Sequence, residues 1–194
     1  CYLRRFLKFL QAVLGQTDVQ ELHISAELHK CFTDISNVFS NFRFALGSNI
    51  TDAMRKEITD ALGTAGSNYR NLIYEQGFSG KQRMIDLKTL GVLVADALDF
   101  ADHSIRANKR SDALFHAYNL MTYTDDGISL SHLSEMLEGQ VAVLSSGLLS
   151  AKESIQVLNA LRNSMLYRED QHSYLLYPNK ALPGFLEKNR IDPG

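Results

Sequence analysis

Apolar residues return at three- and four-residue intervals along most of the chain, the spacing of one buried helical stripe. Leu3, Phe6, Leu7, Leu10, Val13 and Leu14 alternate with Arg4, Arg5, Lys8 and Gln11, predicting an amphipathic helix that stops at Gly15. Thr17 and Gln20 have capping-box spacing, and a long helix is expected from about Val19 to Phe44. Its buried stripe runs through Leu22, Ala26, Leu28, Phe32, Ile35, Val38, Phe39 and Phe42, and Gly47-Ser48-Asn49 break it. Ile50, Met54, Ile58 and Leu62 fall at four-residue steps and predict a short helix. Gly63 and Gly66 then punctuate before another helical piece over Ser67 to Glu75.

Gly77 to Gly80 reads as a loop, and Asp86 to Asn108 as the best-formed helix, with Leu87, Leu90, Val94, Leu98, Ala101 and Ile105 on one face. A helix is expected over Ser111 to Tyr123. A turn follows at Asp125-Asp126-Gly127, and then a helix from about Leu130 to Ser146 that Gly147 ends. Ser150 and Glu153 form a capping box that opens a helix reaching Met165. The expected fold is all-α: an irregular bundle of about seven to nine helices with short connections. No repeat at a fixed period is visible, which argues against a regular solenoid.

The last stretch breaks the pattern. All three prolines lie at or beyond Pro178, so an extended arm from Arg162 to Ile191 is expected. Tyr167, Tyr174, Tyr177 and Phe185 crowd this arm together with Arg168, Glu169, Asp170 and His172.

Composition narrows the classes. At 194 residues the chain reads most simply as a single domain, residues 1–194, able to bury roughly 70% of its unfolded surface. A net charge of -2 gives no basic face for nucleic acid. No apolar run approaches the ~20 residues of a membrane span, so neither nucleic acid nor membrane is an expected partner. Two cysteines, Cys1 and Cys31, are too few for a disulfide framework and favour a reducing, cytoplasmic setting. The chain opens at Cys1, already in helical rhythm, which suggests a piece excised from a longer polypeptide.

Several groupings suggest chemistry and then fall short. Gly80-Lys81-Gln82 lacks the upstream glycine and the hydroxyl residue of a phosphate loop. His23, Glu27 and Cys31 have the spacing of one helical face, but a fourth metal ligand is missing. Asp96, Asp99, Asp102 and His103 lie on the best helix, opposite its apolar stripe, where carboxylates are usually solvated. Thr122 to Leu133 imitates a calcium loop but places Thr122 and Leu133 where its strongest ligands belong. Gly139, expected within a helix, suggests close approach by another backbone or ring. No cofactor and no metal is implied, and no residue is assigned a catalytic role. The arm offers two readings. Arg168, Asp170, His172, Tyr174 and Tyr177 can stack on and hydrogen-bond a glycan. Alternatively, the tyrosines with Leu175, Leu176, Leu182 and Phe185 pin the arm over the bundle.

Two stretches, Leu114 to Gly147 (with MLEGQVAVLSSG) and Asn159 to Ile191 (with YREDQHSYLLYP), resemble the C-terminal helical region of large bacterial cellobiose-phosphorylase-like proteins related to cyclic-glucan synthases. That family's general acid and phosphate site match nothing in this sequence. The resemblance therefore implies a non-catalytic helical accessory domain of a glycoside phosphorylase-like protein, packing on the catalytic part or on a second copy. The alternative is a direct contribution to a glycan-binding or catalytic site, with an oligosaccharide as partner. A third reading makes the basic face of Arg4, Arg5 and Lys8 a regulatory binding surface.

Overall fold

The computed structural model describes residues 1–189, so Arg190 and Ile191 of the expected arm, and Pro193, lie outside the described residues. The protein is mostly helical, but it is not all-α, because three antiparallel strand pairs join its helices. Helix α1 spans Tyr2–Gln16, strand β1 Glu21–Ser25 and helix α2 Ala26–Phe42. A 3-10 turn, Arg43–Gly47, leads to α3 at Asp52–Gln76; β2 is Gln82–Asp86 and α4 Leu87–Ala107. Hairpin β3–β4 covers Asn119–Tyr123 and Ile128–His132, followed by α5, Leu137–Ser145, and α6, Ala151–Arg162. The arm contributes β5, Tyr167–Arg168, β6, Ser173–Tyr174, and a last short helix α7, Phe185–Lys188.

The first four helices form a unit with internal two-fold character. Strand β1 pairs antiparallel with β2, with His23 opposite Met84 at the centre and Glu21 opposite Asp86 at one end. Each strand runs directly into a helix whose first turn is capped by the strand's last residue. Ser25 accepts from the Leu28 amide, and Asp86 from the Lys88 amide. The ends are closed reciprocally: the Ala26 amide donates to the Lys81 carbonyl and the Leu87 amide to the Gln20 carbonyl, both at 2.9 Å. Helix α1 packs on α4 as α3 packs on α2. The equivalent residues Phe39 and Phe100 meet across the same axis, with ring centroids 5.0 Å apart. The unit is thus two helix–strand–helix halves, each supplying one helix to the other.

Two apolar clusters hold the protein together. One joins α1 to α4 through Leu7, Val94 and Leu98. The other gathers Leu114 and Phe115 with Val143 of α5, Val157 and Leu161 of α6, and Leu166 at the root of the arm. Ile105 of α4 packs against that second cluster and links it to the four-helix unit. Arg4 strengthens the same junction. It is buried, pairs with both carboxylate oxygens of Asp102 at 2.5 and 3.3 Å, and donates to the Ser146 carbonyl at 2.8 Å. The basic face expected on the first helix therefore loses one member to the interior.

Several expected elements are corrected. The long helix begins at Ala26, because Glu21–Ser25 is a strand held by a partner far along the chain. The two short helices merge into α3, which runs straight through Gly63 and Gly66. Ser111 to Tyr123 is not helical: it turns at Arg110–Leu114 and ends as β3. The helix expected from Leu130 starts only at Leu137, since Ile128–His132 is β4. The Asp125-Asp126-Gly127 turn holds, joining β3 to β4. Gly127 is required there, since a Cβ would stand 2.9 Å from the Asp52 backbone. Gly147 ends α5 with φ +72°.

Candidate functional site

The arm brings its candidate residues together mainly with one another. Arg168 and Asp170 form a two-pronged ion pair at 2.8 and 2.7 Å. The guanidinium holds the Asp170 carboxyl below its usual range, and Asp170 in turn raises Arg168. His172 sits at φ 47° in the tight turn between β5 and β6, its Nδ1 3.4 Å from the Tyr167 hydroxyl. Tyr167 packs against Tyr174 at 5.2 Å and beneath the Arg162 guanidinium. Tyr174 and Tyr177 are 39% and 52% exposed, so their rings remain accessible. Arg168 and Asp170 spend part of their hydrogen-bonding capacity on each other, through Nε and one Nη of the guanidinium.

Pinning is real for the first half of the arm only. Leu166 is fully buried, and the Leu175 amide donates to its carbonyl at 2.7 Å; the Leu137 amide at the start of α5 donates to Leu176 at 3.1 Å. Pro178 is buried and Lys180 reaches the Ser134 hydroxyl. Beyond it, Leu182, Phe185 and Leu186 are 80%, 77% and 80% exposed. Leu182 and Phe185, expected to pin the arm, cover nothing among the described residues.

The other groupings resolve into structural roles. His23 lies on β1 while Glu27 and Cys31 lie on α2, so the three do not share a helical face. Glu27 is buried and accepts from the Ser79 amide at 2.9 Å; hydrogen bonds from Ser79 hold its pKa down. Burial pushes the Cys31 thiol up. Among the described residues no group of three or more His, Cys, Asp or Glu is placed to hold a metal. The α4 carboxylates are not simply solvated. Asp96 is buried and pairs with Arg43, Asp99 pairs with Arg43 at 2.8 Å, and Asp102 pairs with Arg4. Gly139 does mark a close approach: a Cβ would lie 2.9 Å from the Ala117 Cβ and 3.3 Å from the Phe115 carbonyl oxygen.

The most organised polar constellation lies elsewhere, at the seam between α4 and the β3–β4 hairpin. Asn108 Nδ2 donates to the Ser104 carbonyl at 2.8 Å, Asn119 Nδ2 donates to Asn108 Oδ1 at 2.8 Å, and Asn119 Oδ1 faces His132 Nδ1 at 2.8 Å. His132 stacks on His116, with centroids 3.8 Å apart and planes within 10°. Burial, and then the neighbouring His132, lower the His116 pKa, and its buried Nδ1 has no hydrogen-bond partner among the described residues. The relay borders a cavity of about 820 Å³ between α2, α3, α4 and the hairpin. A second cavity, about 610 Å³, opens between the start of α1, the end of α4 and α5, with Leu176 of the arm on its wall. Sequence reasoning missed the relay. Its members are spread over four segments, all of which were expected to be helical, and His116, Asn119 and His132 lie outside any helix.

No model of a known protein family matches the chain, and no curated protein matches it. No helix among the described residues is long and apolar enough to cross a membrane.

Proposed function

We propose that the chain is a non-catalytic helical accessory domain of a larger carbohydrate-active, glycoside phosphorylase-like protein of the bacterial cytoplasm. In this reading it docks on the catalytic part of the parent polypeptide or on a second copy. The observation that carries the reading is the distal arm, where Leu182, Phe185 and Leu186 stand uncovered. Apolar surface of this size held away from its own core is the usual mark of an interaction site. Helix α1 adds to it. While Leu7 faces the core, Tyr2, Phe6, Phe9 and Val13 project outward at four- and three-residue spacing, 78%, 56%, 65% and 43% exposed, a pattern suited to packing against another helix. The carbohydrate assignment rests on the resemblance of Leu114 to Gly147 and Asn159 to Ile191. The cytoplasmic assignment rests on the unpaired cysteines.

A photo-crosslinking side chain placed at Phe185 of the full-length protein tests docking. The expected product is a covalent link to the catalytic part or to a second copy. Absence of any protein crosslink at that position would sink the docking reading.

The second reading, a glycan site on the arm, is favoured by the exposed rings of Tyr174 and Tyr177 on the same arm as the paired Arg168 and Asp170. Titration with cello- and β-1,2-gluco-oligosaccharides separates the two. Saturable binding that is lost in folded Tyr174→Ala and Tyr177→Ala variants would establish the glycan site, and no binding at millimolar sugar would remove it.

A further inference from the structure

We infer that the cavity between α2, α3, α4 and the β3–β4 hairpin is a binding site for a neutral molecule that carries hydroxyl or N–H donors on a body with an apolar face. This rests on the cavity itself and not on the docking role of the arm. Its volume, about 820 Å³, lies in the range of small-molecule sites, and its walls combine apolar surface with a few convergent polar groups. Phe39, Phe100, Ile58, Leu62, Met121 and Leu130 supply the apolar part.

The polar part has a fixed sense. The Ser104 carbonyl can only accept, so Asn108 must turn its NH2 toward it and leave Oδ1 to accept from Asn119. That orients Asn119 with Oδ1 toward His132, which must therefore carry its proton on Nδ1. The lone pair is left on Nε2, which has no partner among the described residues. His103 obeys the same rule. Its Nε2 lies 3.0 Å from the Ser48 carbonyl and must donate, leaving Nδ1 as a second acceptor at the cavity wall. In its neutral form each imidazole offers its other nitrogen as an acceptor, which calls for a ligand that donates.

The charge is equally constrained. Among the described lining residues the fixed charges are Asp52 and Arg55, paired to each other at 2.6 Å. Arg55 also donates to the Ile128 and Ile50 carbonyls, at 2.5 and 3.0 Å. The two charges offset each other, so the balance of charge at the cavity suits a neutral ligand.

Hydroxyls on a ring with an apolar face occur in both phenols and pyranosides, and the test uses one probe of each kind. The full chain is titrated with p-cresol, with methyl β-D-glucopyranoside and with toluene, following the imidazole ¹⁵N resonances of His132 and His103. The expected result is saturable binding of p-cresol or of the glucoside that moves the His132 Nε2 resonance, the responding probe identifying the source. Toluene, which has no donor, should bind about tenfold more weakly than p-cresol, the loss of one hydrogen bond. His132→Phe keeps a ring stacked on His116 but removes the acceptor, and should weaken the donor probe about tenfold. Ala101→Leu adds three carbons to the α4 wall of the cavity without replacing a relay residue and should weaken binding of every probe. Failure of both hydroxylated probes at millimolar concentration overturns the proposal. So does equal affinity for toluene and p-cresol, or binding unchanged in Ala101→Leu. Should His132→Phe fail to fold, Ala101→Leu decides alone.

Discussion

At the scale of single residues, Gln140 does the most specific work. It is fully buried and treats Phe115 as a neighbouring strand would. Its Oε1 accepts the Phe115 amide at 2.9 Å, and its Nε2 donates to the Phe115 carbonyl at 2.8 Å and to the Met136 carbonyl at 3.0 Å. Gly139, beside it, lets the chain at Ala117 come close enough for those bonds. Gln140→Leu keeps the volume but strands two buried backbone groups, and each such group costs about 1–3 kcal/mol. Urea unfolding should show a loss of ~2–4 kcal/mol, as a lower midpoint at unchanged slope; a loss below about 1 kcal/mol would contradict this role. The glycine was legible in the sequence, because a glycine inside an apolar helical pattern needs a reason. Gln140 was not: a glutamine in a helix normally faces water, and nothing local shows that its partner is a strand-like segment well upstream. The histidine–asparagine relay was hidden for the same reason, since Asn108, His116, Asn119 and His132 meet only after the hairpin folds back on α4.

Among the elements, those set by neighbouring residues could be read and those set by distant partners could not. The Ser150–Glu153 capping box is a three-residue signal, and both of its hydrogen bonds form. Helix α4 carries its own apolar stripe and was placed within a residue or so of its ends. The five-residue strands β1 and β2 are different, because Leu22, Ile24 and Ile85 fit either a helical or an alternating pattern. Only the pairing of Glu21–Ser25 with Gln82–Asp86 decides between them. The two-fold relation of the halves was equally invisible: Ile24 and Ile85, and Phe39 and Phe100, stand 61 positions apart and agree, but little around them does. The cap of α6 also yields a pH prediction. A hydrogen bond from Arg106 of α4, and others from Ser150, bring Glu153 from an ordinary 4.5 down to about 2. Since the folded pKa is the lower one, the carboxylate's stabilisation is fully present above the unfolded value of 4.5 and is lost as pH falls through about 2. Glu153→Gln should melt below the wild type at pH 7, with the gap closing as pH falls from 4.5 toward 2. A gap that stayed constant over that range would show that the charge plays no part.

For the whole molecule, the arm divides into a part that belongs to the core and a part that faces outward, and the boundary lies near Lys180. Upstream, Leu166 sits in the cluster with Leu114, Phe115, Val157 and Leu161. The Leu175 amide closes onto the Leu166 carbonyl, and the Leu176 carbonyl receives the Leu137 amide, one of the donors that the start of α5 cannot satisfy within the helix. Downstream, Leu182, Phe185 and Leu186 rest against nothing described. Two truncations separate the parts. Among the described residues, a chain ending at Lys180 loses only exposed side chains, so its stability should change by no more than about 0.5 kcal/mol. A chain ending at His172 removes β6 and both of those backbone bonds, leaving Leu137 without its acceptor and uncovering Leu166. It should lose ~3 kcal/mol or more, and the amides of α5 and of the Leu114–Phe115 segment should exchange faster with solvent. If the two truncations melted alike, the arm would be held as one piece. Its outward apolar residues would then belong to the fold of this chain instead of to a surface that another polypeptide covers.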